Sequence, residues 1–124
     1  MKVFKNAWFG RFARKEKISA AALLSAVLRA ENGQIDADLG GGVIKQRIAR
    51  PGEGKSKGYR SIVFFRKGER CFFVYGFPKS DLGNIGSDEE VLFKKMAKQV
   101  LALTDAQLGV LVANGQFEEV VQDD

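Results

Sequence analysis

Residues 43–79 read VIKQRIARPGEGKSKGYRSIVFFRKGERCFFVYGFPK, and their pattern decides the fold. Over residues 43–49 the side chains alternate: Ile44, Gln46 and Ile48 point one way, Lys45 and Arg47 the other. That is the period-2 signature of a strand with one buried face. Residues 59–65 and 71–77 are β-branched and aromatic runs joined by the short connection RKGER, which predicts a hairpin. Three strands therefore follow one another, with a Gly-rich, charged loop over residues 50–58 between the first and the second.

Helices flank this core on both sides. Residues 3–5 form a short opening strand, after which Asn6 is placed to cap a helix. In that helix Trp8, Phe9 and Phe12 recur at helical spacing, with Arg11, Arg14 and Lys15 on the other side, so the aromatic residues are expected in the core. A second helix has Ser19 as N-cap, Ile18 and Leu23 as a hydrophobic staple, and a stripe of Leu23, Leu24, Val27 and Leu28 ending at Gly33. A glycine-rich bend covers residues 38–42. Beyond Pro78, Ser87 and Glu90 read as a capping box for a helix carrying Leu92, Phe93, Met96, Ala97, Val100 and Leu101. Thr104 and Gln107 form a second box, Leu103 and Leu108 its staple, and Asn114-Gly115 its end, with a short strand over 117–121. The order is that of an α+β layer fold: an N-terminal αα-hairpin packed on a small antiparallel sheet, with C-terminal helices, all in a single domain spanning 1–124.

The charge is concentrated where the strands are. The chain has 20 Lys and Arg against 15 Asp and Glu. Ten of the basic residues fall within 43–79, opposed by Glu53 and Glu69 alone, whereas residues 80–124 carry three basic and nine acidic side chains. A basic sheet surface on a small domain is the footprint expected for a polyanion such as RNA or DNA. Histidine is absent. That excludes Ser-His-Asp catalysis, paired-histidine RNA cleavage and histidine-ligated zinc, and leaves Lys, Arg, Tyr and carboxylates to carry any chemistry. The single cysteine, Cys71, lies in an apolar run and reads as a small core residue. The sequence shows neither a membrane-length apolar span nor a signal peptide, which predicts a soluble, cytoplasmic protein.

Residues 49–56, ARPGEGKS, come close to a phosphate-binding P-loop. A P-loop requires a helix directly after its Lys-Ser, so that backbone N–H groups and the helix dipole face the phosphates. Here Ser56 leads through Lys57 and Gly58 into a strand. The loop reads instead as a cationic tether, with Arg50, Lys55 and Lys57 able to follow a phosphate backbone.

The motif GYRSIVFF at 58–65, followed by FFVYGFPKSD at 72–81 and a capped helix, resembles the RelE/HigB branch of the RelE/ParE toxin superfamily. The segments GGGVIKQRIARPGEGKSKG at 40–58 and TDAQLGVLVANGQFEEV at 104–120 are similar to a RelE-like subgroup with a longer C-terminus. The resemblance implies the toxin of a type II toxin–antitoxin pair, an mRNA interferase acting at the ribosome without metal or cofactor. Its implied partners are mRNA, the ribosome and a cognate antitoxin that supplies DNA binding, with no membrane involved.

The resemblance also implies a site. Arg60 is the firmest match, since it follows the Gly-Tyr that begins the strand. Lys45 and Arg47 fit an upstream basic pair, and Lys79 a basic residue after the last long strand. Some family members carry a tyrosine near the position of Ile85. This chain has only Tyr59 and Tyr75, either of which can substitute, with a lysine as the alternative base. The expected catalytic set is Arg60, Lys45, Arg47, Lys79 and Tyr75, with Arg50, Lys55, Lys57 and Arg66 as RNA contacts. Two other readings share the fold or the charge: a ParE-like poison of DNA gyrase, and a non-catalytic RNA- or ribosome-binding module.

Overall fold

The computed structural model describes residues 1–50, 58–78 and 85–122. Strand β1 (Lys2–Asn6) leads into helices α1 (Ala7–Glu16) and α2 (Ala20–Glu31). Strands β2 (Ala37–Gly40), β3 (Val43–Ile48), β4 (Tyr59–Arg66) and β5 (Arg70–Pro78) follow. Helices α3 (Ser87–Leu101) and α4 (Asp105–Ala113) and strand β6 (Phe117–Glu119) complete the chain. The α+β class holds.

Most of the ends are where local chemistry puts them. Asn6 accepts from the Phe9 N–H at 2.8 Å and Ser19 from the Ala22 N–H at 3.1 Å, so both caps form as the sequence predicts. Thr104 and Gln107 close a full capping box at 3.1 and 2.9 Å. At α3 the cap falls one residue earlier than expected. Gly86 is the N-cap, and the Glu89 carboxylate reaches back to its N–H at 3.3 Å.

The described strands form one sheet in the order β2-β3-β4-β5-β1-β6. β2 to β5 is an antiparallel meander, and β6 is antiparallel to β1, but β1 lies parallel to β5, with Val3 opposite Cys71 and Phe4 opposite Phe72. The sheet is thus mixed, where the sequence suggested antiparallel pairing throughout. A parallel pair needs a long crossover instead of a turn. Here α1, α2 and the whole meander intervene, so no short-range sequence signal marks it.

Helices cover both faces. Under α1 and α2 lie Phe9, Ala13, Leu23, Val27, Ile44, Ile48, Tyr59, Val63, Cys71 and Phe73. On the other face Phe4, Val43, Ile62, Phe64, Phe72 and Val74 share a core with Ala97, Leu101 and Leu108 of α3 and α4. Full burial of a side chain such as Phe64 or Phe73 stabilises by about 1.5–3 kcal/mol relative to exposure. Gly76 allows the first layer to close. A Cβ there would lie 2.7 Å from the Phe12 ring and 3.1 Å from that of Phe9.

One irregularity matters for function. Ile62 pairs with Tyr75 but Val63 pairs with Phe73, which leaves Val74 as an extra residue in β5. Val74 and Tyr75 consequently pack on the same face, that of α3. A β-bulge of this kind re-aims the side chains beyond it. Tyr75 is turned out of the core layer beneath α1, and Gly76 into it.

Candidate functional site

The strand registers bring four of the expected residues together. Lys45 on β3 lies opposite Ile62 on β4, which lies opposite Tyr75 on β5. In the adjoining row Arg47 lies opposite Arg60, and Arg60 opposite Phe77. These positions share one face of the sheet, and directly opposed residues have Cβ atoms about 4.5–5.5 Å apart. Lys45, Arg47, Arg60 and Tyr75 are all half-buried. Helix α3 packs on the other half of this face. Its C-terminal end is held near the β4–β5 turn by Arg66, whose guanidinium donates to the Leu101 carbonyl at 3.1 Å, and Phe93 reaches Phe64 and Tyr75.

Among the described residues, the Arg47 and Arg60 guanidinium groups make no hydrogen bond or ion pair. Two neighbouring planar cations with unused donors form an electrostatic receptor for a tetrahedral or pentacoordinate phosphate, because each fork can engage two oxygens. Asp36, Lys45, Arg47 and Arg60 help to line a cavity of about 90 Å³. The Tyr75 ring is held by Trp8 at 4.7 Å and by Phe77 and Phe93 at 6.1 Å each, and its hydroxyl has no hydrogen bond among the described residues.

A buried polar network lies behind this face. Gln46 and Ser61 are 2% and 0% exposed. The Gln46 amide donates to the carbonyls of Ala26 at 3.0 Å and Gln34 at 3.1 Å, and accepts from the Asp36 N–H at 3.2 Å. Ser61 donates to the Gln46 carbonyl at 2.8 Å. Gln46 sits between Lys45 and Arg47, and Ser61 next to Arg60, so the basic residues are wired through the sheet to α2. At the edge, β2 pairs no further than Lys45. Side chains take over there: the Arg47 N–H donates to Asp36 at 2.6 Å, and Arg29 donates to the Arg47 carbonyl.

The remaining expected contacts scatter. Arg66 is at the opposite end of β4, near Glu69 at 3.7 Å as well as Leu101, and the structure does not bring it to the site. Arg50 stands over the Tyr59 ring at 5.5 Å. Tyr59 itself is buried under α1, where its hydroxyl donates to the Glu16 carbonyl, and does not join Tyr75. Lys55, Lys57 and Lys79 lie outside the described residues. The sequence reading missed Arg29, Asp36, Gln46 and Ser61. Gln46 carried a signal, a polar residue in the inward phase of Ile44 and Ile48; Asp36 and Arg29 carried none. Trp8, expected in the core, is 38% exposed.

Cys71 is buried, and that burial, with a smaller effect of Glu31, pushes its thiol far above the usual range. It is a core residue, as its apolar run predicts, and no nucleophile. Among the described residues no group of three or more Cys, Asp or Glu side chains gathers to hold a metal ion, and no helix is long and apolar enough to cross a membrane.

No curated protein matches the chain. A family does: the description "RelE toxin of RelE / RelB toxin-antitoxin system" fits residues 1–120, nearly the whole sequence and every strand of the sheet. An α+β layer fold, a basic row across its central strands and a match of that extent agree, and the chain belongs to the RelE toxin family.

Proposed function

We propose that this toxin is an endoribonuclease that cuts translated mRNA at the ribosome. The observation that supports it is the paired rows Lys45–Ile62–Tyr75 and Arg47–Arg60–Phe77 on one sheet face, with the arginine forks unengaged among the described residues. In the proposed reaction the ribose 2′-oxygen attacks the adjacent phosphorus and the bond to the 5′-oxygen breaks, giving a 2′,3′-cyclic phosphate and a 5′-hydroxyl. Arg60 and Arg47 hold the charge that builds on the non-bridging oxygens. Lys45 or Tyr75 removes the 2′ proton, and a second proton goes to the leaving 5′-oxygen. Lys79 and the loop residues Arg50, Lys55 and Lys57 add phosphate contacts along the strand. A cognate antitoxin carrying a DNA-binding segment is the partner, a reading supported by the toxin–antitoxin family.

Primer extension on cellular mRNA after brief induction tests this reading. Cuts inside translated regions, reduced about 10²–10³-fold by Arg60→Ala, are the expected result for loss of one preorganised charge-stabilising donor. Growth arrest without cuts would overturn it and point to a target such as gyrase. Salt-sensitive RNA binding with neither cuts nor arrest would leave a binding module.

A further inference from the structure

We propose that the outward side of α1 is a second contact for the substrate RNA, in which Trp8 takes a nucleobase and Arg11 and Lys15 hold neighbouring phosphates. The proposal rests on the endoribonuclease reading and names where the substrate goes after leaving the basic rows.

Trp8 is the chain's only tryptophan, and 38% of its surface remains in solvent. Its ring is braced by Tyr75 at 4.7 Å and Phe12 at 5.4 Å. A ring already fixed by its neighbours gives up little freedom when a base packs against its open part. Its position borders the site. β1 ends at Asn6, and Trp8 stands beside β5 against Tyr75, which shares a sheet face with Lys45 and Arg60. A strand of RNA leaving Arg60 toward Tyr75 reaches the indole next.

The helix continues the same surface. Trp8, Arg11 and Lys15 stand at i, i+3 and i+7, on one side of α1 and about 10 Å apart end to end. Arg11 and Lys15 are exposed and make no ion pair or hydrogen bond among the described residues, whereas Arg14 leans to Glu118 at 3.9 Å. The first turn of α1 carries no acidic residue. Single-stranded RNA is recognised by aromatic rings combined with cations that track its backbone. An acidic polypeptide would match the cations and leave the indole without a purpose.

The test uses a single-stranded oligonucleotide with 2′-O-methyl riboses, which lacks the attacking hydroxyl and stays intact. Binding to the full chain is followed by Trp8 fluorescence and, separately, by the anisotropy of a dye on the oligonucleotide. The expected result is a fluorescence change that saturates with the anisotropy curve and is absent with an abasic oligonucleotide of equal length. Trp8→Leu, which keeps apolar packing, binds roughly tenfold more weakly. Trp8→Phe, which keeps a ring, recovers part of that loss. The double variant Arg11→Gln, Lys15→Gln lowers the slope of log affinity against log salt by roughly 1–2.

Binding by anisotropy with unchanged Trp8 fluorescence, and Trp8→Leu at full affinity, would overturn the proposal while leaving cleavage at Arg60 intact. An equal response to the abasic strand would overturn the base contact. Preferential binding of poly-glutamate over RNA would assign the face to a protein partner instead. Loss of all RNA binding and of mRNA cuts in the wild-type chain would overturn the endoribonuclease reading itself.

Discussion

The carboxylate of Asp36 accepts the backbone N–H of Arg47 at 2.6 Å, at the point where β2 has stopped pairing with β3. Arg29 takes the Arg47 carbonyl on the same edge and lies 4.0 Å from Asp36. Two side chains thus replace a strand, and the residue whose backbone they hold is one whose guanidinium faces the proposed phosphate. Asp36→Asn retains an acceptor and is expected to keep the fold. Asp36→Ala leaves that N–H to water and should lower stability by about 1 kcal/mol. Its larger effect should be on kcat, with KM little changed, because Arg47 loses its fixed origin. Urea unfolding and single-turnover cleavage of an RNA substrate separate the two effects.

Tyr75 provides a cleaner separation of ring from hydroxyl. Its ring packs on Trp8, Phe77 and Phe93, while its hydroxyl has no hydrogen bond among the described residues. Tyr75→Phe should therefore leave the melting temperature within a degree or two of wild type. If the hydroxyl moves a proton, cleavage falls about 10²–10⁴-fold. Unchanged cleavage would assign that proton transfer to Lys45.

Gly76→Ala is expected to destabilise by about 1–3 kcal/mol, the usual cost of inserting a methyl group into a closed core. The new Cβ meets Phe12 at 2.7 Å, and that ring is itself stacked on Trp8. Thermal unfolding measures the loss. A companion Phe12→Leu change should restore part of it by making room.

Cys71 links stability to alkaline pH. Its folded thiol holds the proton to higher pH than the unfolded one, because burial disfavours the thiolate. The unfolded chain therefore loses its proton first as pH rises. Stability from this group is complete below the unfolded value, about 8.5, and is lost progressively as pH climbs toward the folded one. Cys71→Ala should flatten that part of the profile. At neutral pH iodoacetamide should label Cys71 only as fast as the chain opens, which mass spectrometry can time.

Where local chemistry dictates structure, the sequence was readable. Asn6, Ser19 and Thr104 cap the helices their spacing announced, and RKGER turns β4 into β5 with Gly68 at φ +77°. The basic rows were readable too, since alternation in β3 and the Gly-Tyr-Arg start of β4 fix which side chains share a face. Long-range choices were not. The parallel pairing of β1 with β5 depends on where a distant meander ends. The Asp36–Arg47 contact depends on β2 being short. Trp8 looked like core by spacing, yet β1 stops before its position and leaves it at the sheet's margin.

The surplus residue Val74 carries a consequence for how this chain can change length. Strict alternation from Cys71 would send Tyr75 under α1 and Gly76 toward the basic rows. Deleting Val74 alone would instead remove the bulge: Tyr75 would follow Phe73 directly, still opposite Ile62 and on the face of the basic rows, with Gly76 still toward α1. In a library of single-codon deletions, clones lacking Val74 should therefore keep toxicity that deletions elsewhere in the paired part of β5 lose, at the cost of the packing Val74 makes on α3. The bulge is thus a reserve of one residue of strand length, which β5 can give up without reversing its faces.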